Sequence, residues 1–108
     1  MGNLLSSAIK MQNGVAAPTI QINNLGGLNG LIWNKNGVNQ GSVTGTLNAT
    51  LTAGDTFSVL ASNFGGATID YFLNASYVTS YFDDPVAETP TITSVAGNAY
   101  KFDCYGGA

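Results

Sequence analysis

The side chains that could take part in catalysis in this chain of 108 residues are six carboxylates and a single cysteine, Cys104. The chain has no histidine, which is the usual base that activates a serine, cysteine or threonine nucleophile. Cys104 alternates with Tyr100 and Phe102, as a small buried hydrophobic residue would, and Lys101 would lie on the opposite face. A tetrahedral zinc site needs nitrogen and sulfur ligands that this composition cannot supply. We therefore predict no catalytic residue and no enzymatic activity.

All six carboxylates lie in the second half of the chain, and Asp83, Asp84 and Glu88 fall within one loop. Oxygen ligands of this kind suit a hard cation such as calcium, but the loop matches no EF-hand pattern, and a solvated loop explains it. Two carboxylates could also hydrolyse a glycosidic bond. Asp55, however, falls at a turn, and Asp70 alternates with residues that face outward. These features predict no metal site and no cofactor.

The surface of the protein must be built largely without charge. Charged residues make up 8% of the sequence, against about 25% in ordinary soluble domains, so Asn, Thr, Ser and Gln have to supply the polar exterior. A nucleic-acid-binding surface needs many lysines or arginines, and the chain has three in total. The N-terminal segment lacks the apolar run of a signal peptide, and no stretch could span a bilayer. We expect synthesis in the cytoplasm, with neither nucleic acid nor membrane as a partner.

Alternation of apolar and polar residues indicates β-strands through most of the chain. It is clearest in residues 41–63, where apolar residues occupy the odd positions until Gly54 and Asp55 interrupt the pattern. This segment predicts an antiparallel hairpin with its turn at those two residues. A second hairpin is predicted at Asn36 and Gly37, whose residue types suit a tight turn.

The other turn signals complete an all-β fold. Gly97 and Asn98 predict the turn of a final pair of strands within residues 91–105. About eight short strands separated by turns are typical of an antiparallel β-sandwich of the jelly-roll or Greek-key type. This topology would bring the first and last strands into the same sheet.

No linker divides the chain, so we predict a single β-sandwich domain over residues 15–105. An N-terminal arm or short helix would precede it over residues 1–14, and a flexible tail would follow over residues 106–108. Within the arm, Leu4 and Leu5 belong to an apolar series at roughly helical spacing. The arm could dock on a neighbouring subunit or pack on its own core, and the sequence leaves both open.

Aromatic residues concentrate in residues 68–82. Such a segment is either one strand buried on both faces, by its core and by a partner, or two strands broken near Asn74 and Ala75. Because aromatic residues contribute strongly to protein interfaces, we predict an interface that includes Tyr71, Phe72, Tyr77, Tyr81, Phe82, Leu4 and Leu5. Trp33 is predicted to anchor the core or an interface, with a stacking platform for a sugar ring as the alternative.

Part of the sequence resembles a known family of trimeric domains. The complement-type and tumour-necrosis-factor-like jelly rolls have two turns and a returning strand similar to KNG at residues 35–37, LTAGD at residues 51–55 and FSV at residues 57–59. The resemblance covers about residues 34–82. It implies a jelly-roll domain that forms a homotrimer, and similar domains occur in bacteriophage virions as capsid decoration and fibre proteins.

We therefore expect a structural, non-enzymatic virion protein, either a capsid decoration (cement) protein or a fibre component of a bacteriophage. Its partners would be copies of itself, most simply in a trimer, and the major capsid protein or another virion protein. Its location would be the virion. An alternative is a lectin-like or receptor-binding jelly-roll module that uses loops 24–30 and 83–88. A further alternative is a surface-layer or filament subunit, which would form open polymers.

Overall fold

The structure, a computed structural model, describes residues 15–107. Over this range the chain forms ten β-strands and no helix. The strands are β1 Thr19–Asn24, β2 Gly30–Lys35, β3 Val38–Ser42, β4 Thr46–Thr50, β5 Thr56–Ser62, β6 Ala67–Leu73, β7 Ser76–Asp83, β8 Val86–Glu88, β9 Ile92–Thr93 and β10 Ala99–Gly106. Buried and less buried residues alternate along β1, β2 and β10, as the two-residue period of a strand requires.

The strands form two sheets that pack face to face. The first sheet has the order β4-β1-β10-β6-β7, and the second has the order β3-β2-β5-β8, with β9 also paired to β5. Neighbouring strands are antiparallel, except that β1 runs parallel to β10. The predicted all-β sandwich is confirmed, with ten strands within residues 15–107 instead of about eight and one parallel pair in place of a fully antiparallel arrangement. The first and last strands share one sheet, as predicted.

The core between the sheets is organised around four aromatic rings in mutual contact. The ring of Phe57 meets those of Tyr100 and Phe102 edge-on, with centroids 5.0 Å and 6.0 Å away, and Tyr71 stacks on Phe102 at 5.0 Å. Burying a side chain of this size stabilises the fold by about 1.5–3 kcal/mol. Trp33 is 4% exposed, which confirms it as a core residue. Its indole nitrogen donates no hydrogen bond within residues 15–107, so its contribution is packing.

Residues 41–63 do not form the predicted hairpin. β4 pairs with β1 in the first sheet and β5 pairs with β2 in the second, so the chain crosses between the sheets at Gly54 and Asp55. The hydrogen bonds that hold this crossing include those from Gly54 N to Ser94 O at 3.0 Å and from Thr52 N to Asp55 Oδ2 at 2.9 Å. The alternation identified both strands, but it contains no information about the partner of either strand.

The other two predicted pairs had different outcomes. Asn36 and Gly37, with φ of 52° and 80°, connect β2 and β3 in the predicted hairpin. The predicted final pair within residues 91–105 is wrong, because β9 pairs with β5 while β10 pairs with β1 and β6. The chain turns at both predicted positions, but only the turn at Asn36 and Gly37 joins two strands that pair with each other.

The C-terminal end of the domain extends further than predicted. β10 runs to Gly106, and Gly107 N donates to Gly66 O at 2.7 Å. The carbonyl oxygen of Gly107 accepts a hydrogen bond from Thr68 Oγ1 at 2.6 Å. Residues 106 and 107 thus belong to the sandwich and not to a flexible tail. The predicted arm over residues 1–14 lies outside the described residues.

The aromatic segment forms two strands, which was one of the two alternatives. β6 and β7 pair antiparallel around a turn at Asn74 and Ala75, which both have positive φ. β7 is the edge strand of the first sheet.

No candidate membrane-spanning helix occurs within residues 15–107.

Candidate functional site

The outer face of the first sheet is the candidate functional site, because it gathers polar and aromatic side chains from five strands. Ile22 and Phe102 point into the core, so the residues one position away on their strands point outward. The outward side chains that matter below are Asn48 on β4, Gln21 and Asn23 on β1, Lys101, Asp103 and Tyr105 on β10, Asp70 and Phe72 on β6, and Tyr77, Ser80 and Phe82 on β7.

Side-chain hydrogen bonds join three of these strands in a fixed order of donors and acceptors. Asn23 Nδ2 donates to Asp103 Oδ1 at 2.8 Å and to Gln21 Oε1 at 3.1 Å. Gln21 Nε2 then donates to Asn48 Oδ1 at 2.9 Å. An ionised carboxylate can only accept, so Asp103 determines which way each amide is turned. We call Asp103, Asn23, Gln21 and Asn48 the amide relay.

A second cluster is centred on Asp70 of β6. Its carboxylate accepts hydrogen bonds from Ser80 Oγ at 2.6 Å and from the Tyr105 hydroxyl at 3.0 Å. The bond to Asp70 raises the pKa of Tyr105 above its ordinary value, because loss of the phenol proton would break this bond and leave two anions adjacent. The Tyr77 hydroxyl lies 2.7 Å from Ser80 Oγ, and because Ser80 donates to Asp70, Tyr77 donates to Ser80.

An open groove of about 590 Å³ lies between the end of the amide relay and the β6–β7 turn. Its lining includes Thr19, Gln21, Asn48, Thr50, Phe72 and Lys101. Lys101 Nζ lies 4.3 Å from the centroid of the Phe72 ring and 3.8 Å from Asp103 Oδ2. The lining carries one cation, Lys101, and no carboxylate.

The edge strand β7 exposes an apolar strip. Tyr77, Val78 and Phe82 are 59%, 49% and 51% exposed, and we call these three residues the β7 strip. Val78 has no partner on β6, because the register shifts between Tyr71 and Phe72. Such a bulge interrupts the hydrogen-bonding edge and disfavours the addition of another strand. A partner would therefore contact the side chains of the strip and not its backbone.

The structure places the predicted interface residues in different environments. Tyr71 is buried in the core and Tyr81 packs against that core, so the exposed surface does not include the Tyr71 ring. Phe72 lies on the outer face beside the β7 strip, 5.8 Å from the Tyr77 ring. The two aromatic members of the strip, which were also predicted, are exposed. Leu4 and Leu5 lie outside the described residues.

The acidic residues and the cysteine that the sequence offered for metal binding or catalysis are not arranged for either role. Asp83, Asp84 and Glu88 are exposed, and the described part of the chain has no group of three or more Asp, Glu, Cys or His side chains that could hold a metal ion. Burial raises the pKa of Cys104 to about 12, and the Asp103 and Asp70 charges add to the effect. The thiol is therefore protonated at neutral pH, whereas a nucleophile needs the thiolate.

Asp55 is a turn residue, as predicted, but its turn carries the chain from one sheet to the other instead of closing the predicted hairpin. Its Oδ1 accepts a hydrogen bond from Asn36 Nδ2 at 3.0 Å, and its Oδ2 accepts the Thr52 N–H. These two bonds, that of Asn36 first, lower the pKa of the Asp55 carboxyl below its ordinary value. The same Asn36 amide accepts from Thr56 N at 2.9 Å, so Asp55 ties the β2–β3 turn to the start of β5.

Sequence reasoning missed the amide relay and the groove beside it. The available signal was the two-residue spacing of Gln21 and Asn23 and of Lys101 and Asp103, which placed all four on outward faces. What joins them is the pairing of β1 with β10, across 80 positions of sequence.

Comparison of the chain with protein-family models, with curated proteins and with solved structures found no match in any of the three.

Proposed function

We propose that the chain is a structural, non-enzymatic virion protein, a capsid decoration or fibre component that acts through protein–protein contacts as a homo-oligomer, most simply a trimer. The observation that carries this proposal is the β7 strip, whose three side chains lie on one edge strand and are each about half exposed. Contiguous exposed apolar groups bordered by polar residues are typical of interaction surfaces. The resemblance of residues 34–82 to trimeric jelly rolls supports the same proposal, and Leu4 and Leu5 remain part of the proposed interface.

The surroundings of the β7 strip favour contact with another protein. Asp70, which Ser80 links to Tyr77, already accepts hydrogen bonds from Ser80 and Tyr105, so its burial would not leave both carboxylate oxygens without a donor. Interface centres are depleted of charge and enriched in aromatic residues, and the strip has this composition. The bulge at Val78 favours packing of faces over a continuous intermolecular sheet.

The oligomer is tested by size-exclusion chromatography with light scattering. At micromolar concentration we expect the mass of three chains, falling toward that of one chain in Val78→Ser and Phe82→Ser. Val95→Ser is the matched control, because Val95 is 55% exposed and lies outside the β7 strip. A monomeric wild-type protein, or equal effects of Val78→Ser and Val95→Ser, would contradict the proposed interface. A mass that grows without limit would instead support the surface-layer or filament alternative.

Membership of a virion is tested separately. Mass spectrometry of gradient-purified particles of the virus that encodes this chain should detect it at a fixed ratio to the major capsid protein. Particles that lack it should release their genome at a lower temperature, and adding the purified protein should restore the higher temperature. Particles that contain none of the chain would refute the virion assignment while leaving the oligomer result unaffected.

A further inference from the structure

The groove on the outer face differs chemically from the β7 strip. Its lining includes two amides, two threonine hydroxyls and one ammonium group, while Phe72 and several alanines supply apolar surface. Because it spans four neighbouring strands of the first sheet, and strands lie about 4.8 Å apart, the groove is roughly 14 Å wide. An elongated ligand with both polar edges and apolar C–H surface would match these walls.

The amide relay leaves donors, not acceptors, at the groove. Asp103 can only accept, so Asn23 must turn its NH₂ group toward Asp103, and Gln21 must turn its carbonyl toward Asn23. The Gln21 amide then donates to Asn48 Oδ1, which places both N–H groups of Asn48 at the free end of the relay. Within residues 15–107 no hydrogen bond uses these two N–H groups.

The remaining polar groups of the groove are also available to a ligand. The hydroxyls of Thr19 and Thr50 make no side-chain hydrogen bond in the described part of the chain. The Lys101 side chain is 40% exposed and its contact with Asp103 is long, at 3.8 Å, so the ion pair is weak. Among residues 15–107 no hydrogen bond from the ammonium group competes with a ligand. The groove therefore offers donors from Asn48 and Lys101, with a positive charge and no carboxylate in its lining.

We propose that this groove binds a saccharide that carries a carboxylate, such as an oligohexuronate. Lys101 Nζ would form a charge-assisted hydrogen bond with the sugar carboxylate. Asn48 Nδ2 would donate to sugar hydroxyl oxygens, and the two threonine hydroxyls can both donate and accept. The apolar face of a sugar ring would lie against Phe72 and the alanines. Because the relay fixes the Asn48 amide before binding, little ordering is needed.

The test is a titration of the full chain with trigalacturonate as probe and galactotriose as the neutral comparison, followed by ¹⁵N NMR and calorimetry. We expect saturable shifts of the Asn48 side-chain N–H signals with trigalacturonate, and much weaker ones with galactotriose. Affinity should fall as salt is added, because an exposed charge pair is screened.

Two variants with matched controls identify the site. Lys101→Gln removes the charge, and Asn48→Asp removes the donors while keeping the acceptor that Gln21 uses. Lys101→Gln should weaken trigalacturonate binding by about tenfold or more, the effect expected for a lost charge-assisted hydrogen bond. Asn48→Asp should weaken it by a similar factor, because it removes two donors and places a carboxylate where the sugar carboxylate would bind. Lys35→Gln and Asn39→Asp make the same chemical changes on the second sheet and should bind as the wild type does.

The proposal is overturned if trigalacturonate gives no saturable shift up to millimolar concentration. It is also overturned if Lys101→Gln and Asn48→Asp, both folded by circular dichroism, bind as tightly as their controls. Equal binding of galactotriose would refute the assignment of the carboxylate to Lys101. Since none of these substitutions touches the β7 strip, failure of this proposal leaves the measured oligomer mass unchanged.

Discussion

The substitution Gly106→Ala tests whether the end of β10 packs as tightly as the structure shows. A Cβ atom at Gly106 would overlap the carbonyl oxygen of Gly27 and would lie 2.8 Å from Asn63 Nδ2, whereas real Cβ contacts essentially never fall below 3.0 Å. Gly106 does not have a positive φ, so the expected effect is steric and not conformational. The Gly27 carbonyl belongs to the backbone, and it can move only if the chain around it moves.

The size of this effect follows from what such a movement breaks. Overpacking costs about 1–3 kcal/mol, and displacing this segment would weaken the bonds from Gly106 N to Gly26 O and from Gly107 N to Gly66 O, each contributing about 1 kcal/mol. We expect the free energy of unfolding to fall by about 2–4 kcal/mol. For a domain of this size, the melting temperature would then fall by roughly 10–25 °C.

Urea denaturation, followed by the fluorescence of the buried Trp33, measures this change. Gly45→Ala is the matched control, because Gly45 also lacks a positive φ and a Cβ there would have nothing within 4 Å. The control should stay within about 0.5 kcal/mol of the wild type. If Gly106→Ala is as stable as Gly45→Ala, the C-terminal end of β10 does not pack on the loop that contains Gly27, and the reasoning is refuted.

Two further predictions concern titratable groups. Because the pKa of Asp55 is lower in the folded state than its ordinary value of 3.8, the ionised carboxylate stabilises the fold above pH 3.8, and this stabilisation is lost as pH falls through the folded pKa. In Asp55→Asn the free energy of unfolding should therefore depend less on pH below 3.8 than in the wild type. Identical acid unfolding curves would contradict this. The pKa of Cys104 is about 12 in the folded protein, against an ordinary value of 9.0. As pH rises above 9.0 the thiol ionises in the unfolded chain before it does so in the folded one, so the free energy of unfolding should fall. At pH 8 Cys104 should react with a disulfide reagent only on unfolding, and a fast reaction of the native protein would refute its burial.

The strands of this protein could be predicted from sequence to the extent that their signals are local. Asn36 and Gly37 supply the positive φ values that the β2–β3 turn requires, so both the turn and the pairing were correctly predicted. Gly54 has the same local character, yet the contact that directs its turn is with Ser94, forty positions away. Residue spacing shows which face of a strand is buried, but it cannot show which strand lies beside it.

The same limit explains why the candidate site had to come from the structure. The relay from Asp103 to Asn48 exists because β1 lies between β10 and β4, with Asn23 opposite Asp103 in a parallel pair. A shift of one residue in that register would move Ile22 out of the core and turn Asn23 into it, because side chains alternate. Burial of Ile22 and Phe102 therefore holds the amide order in place. The donors at Asn48 are a consequence of core packing on the other side of the same sheet, and this is why we expect Asn48→Asp to change ligand binding without changing the fold.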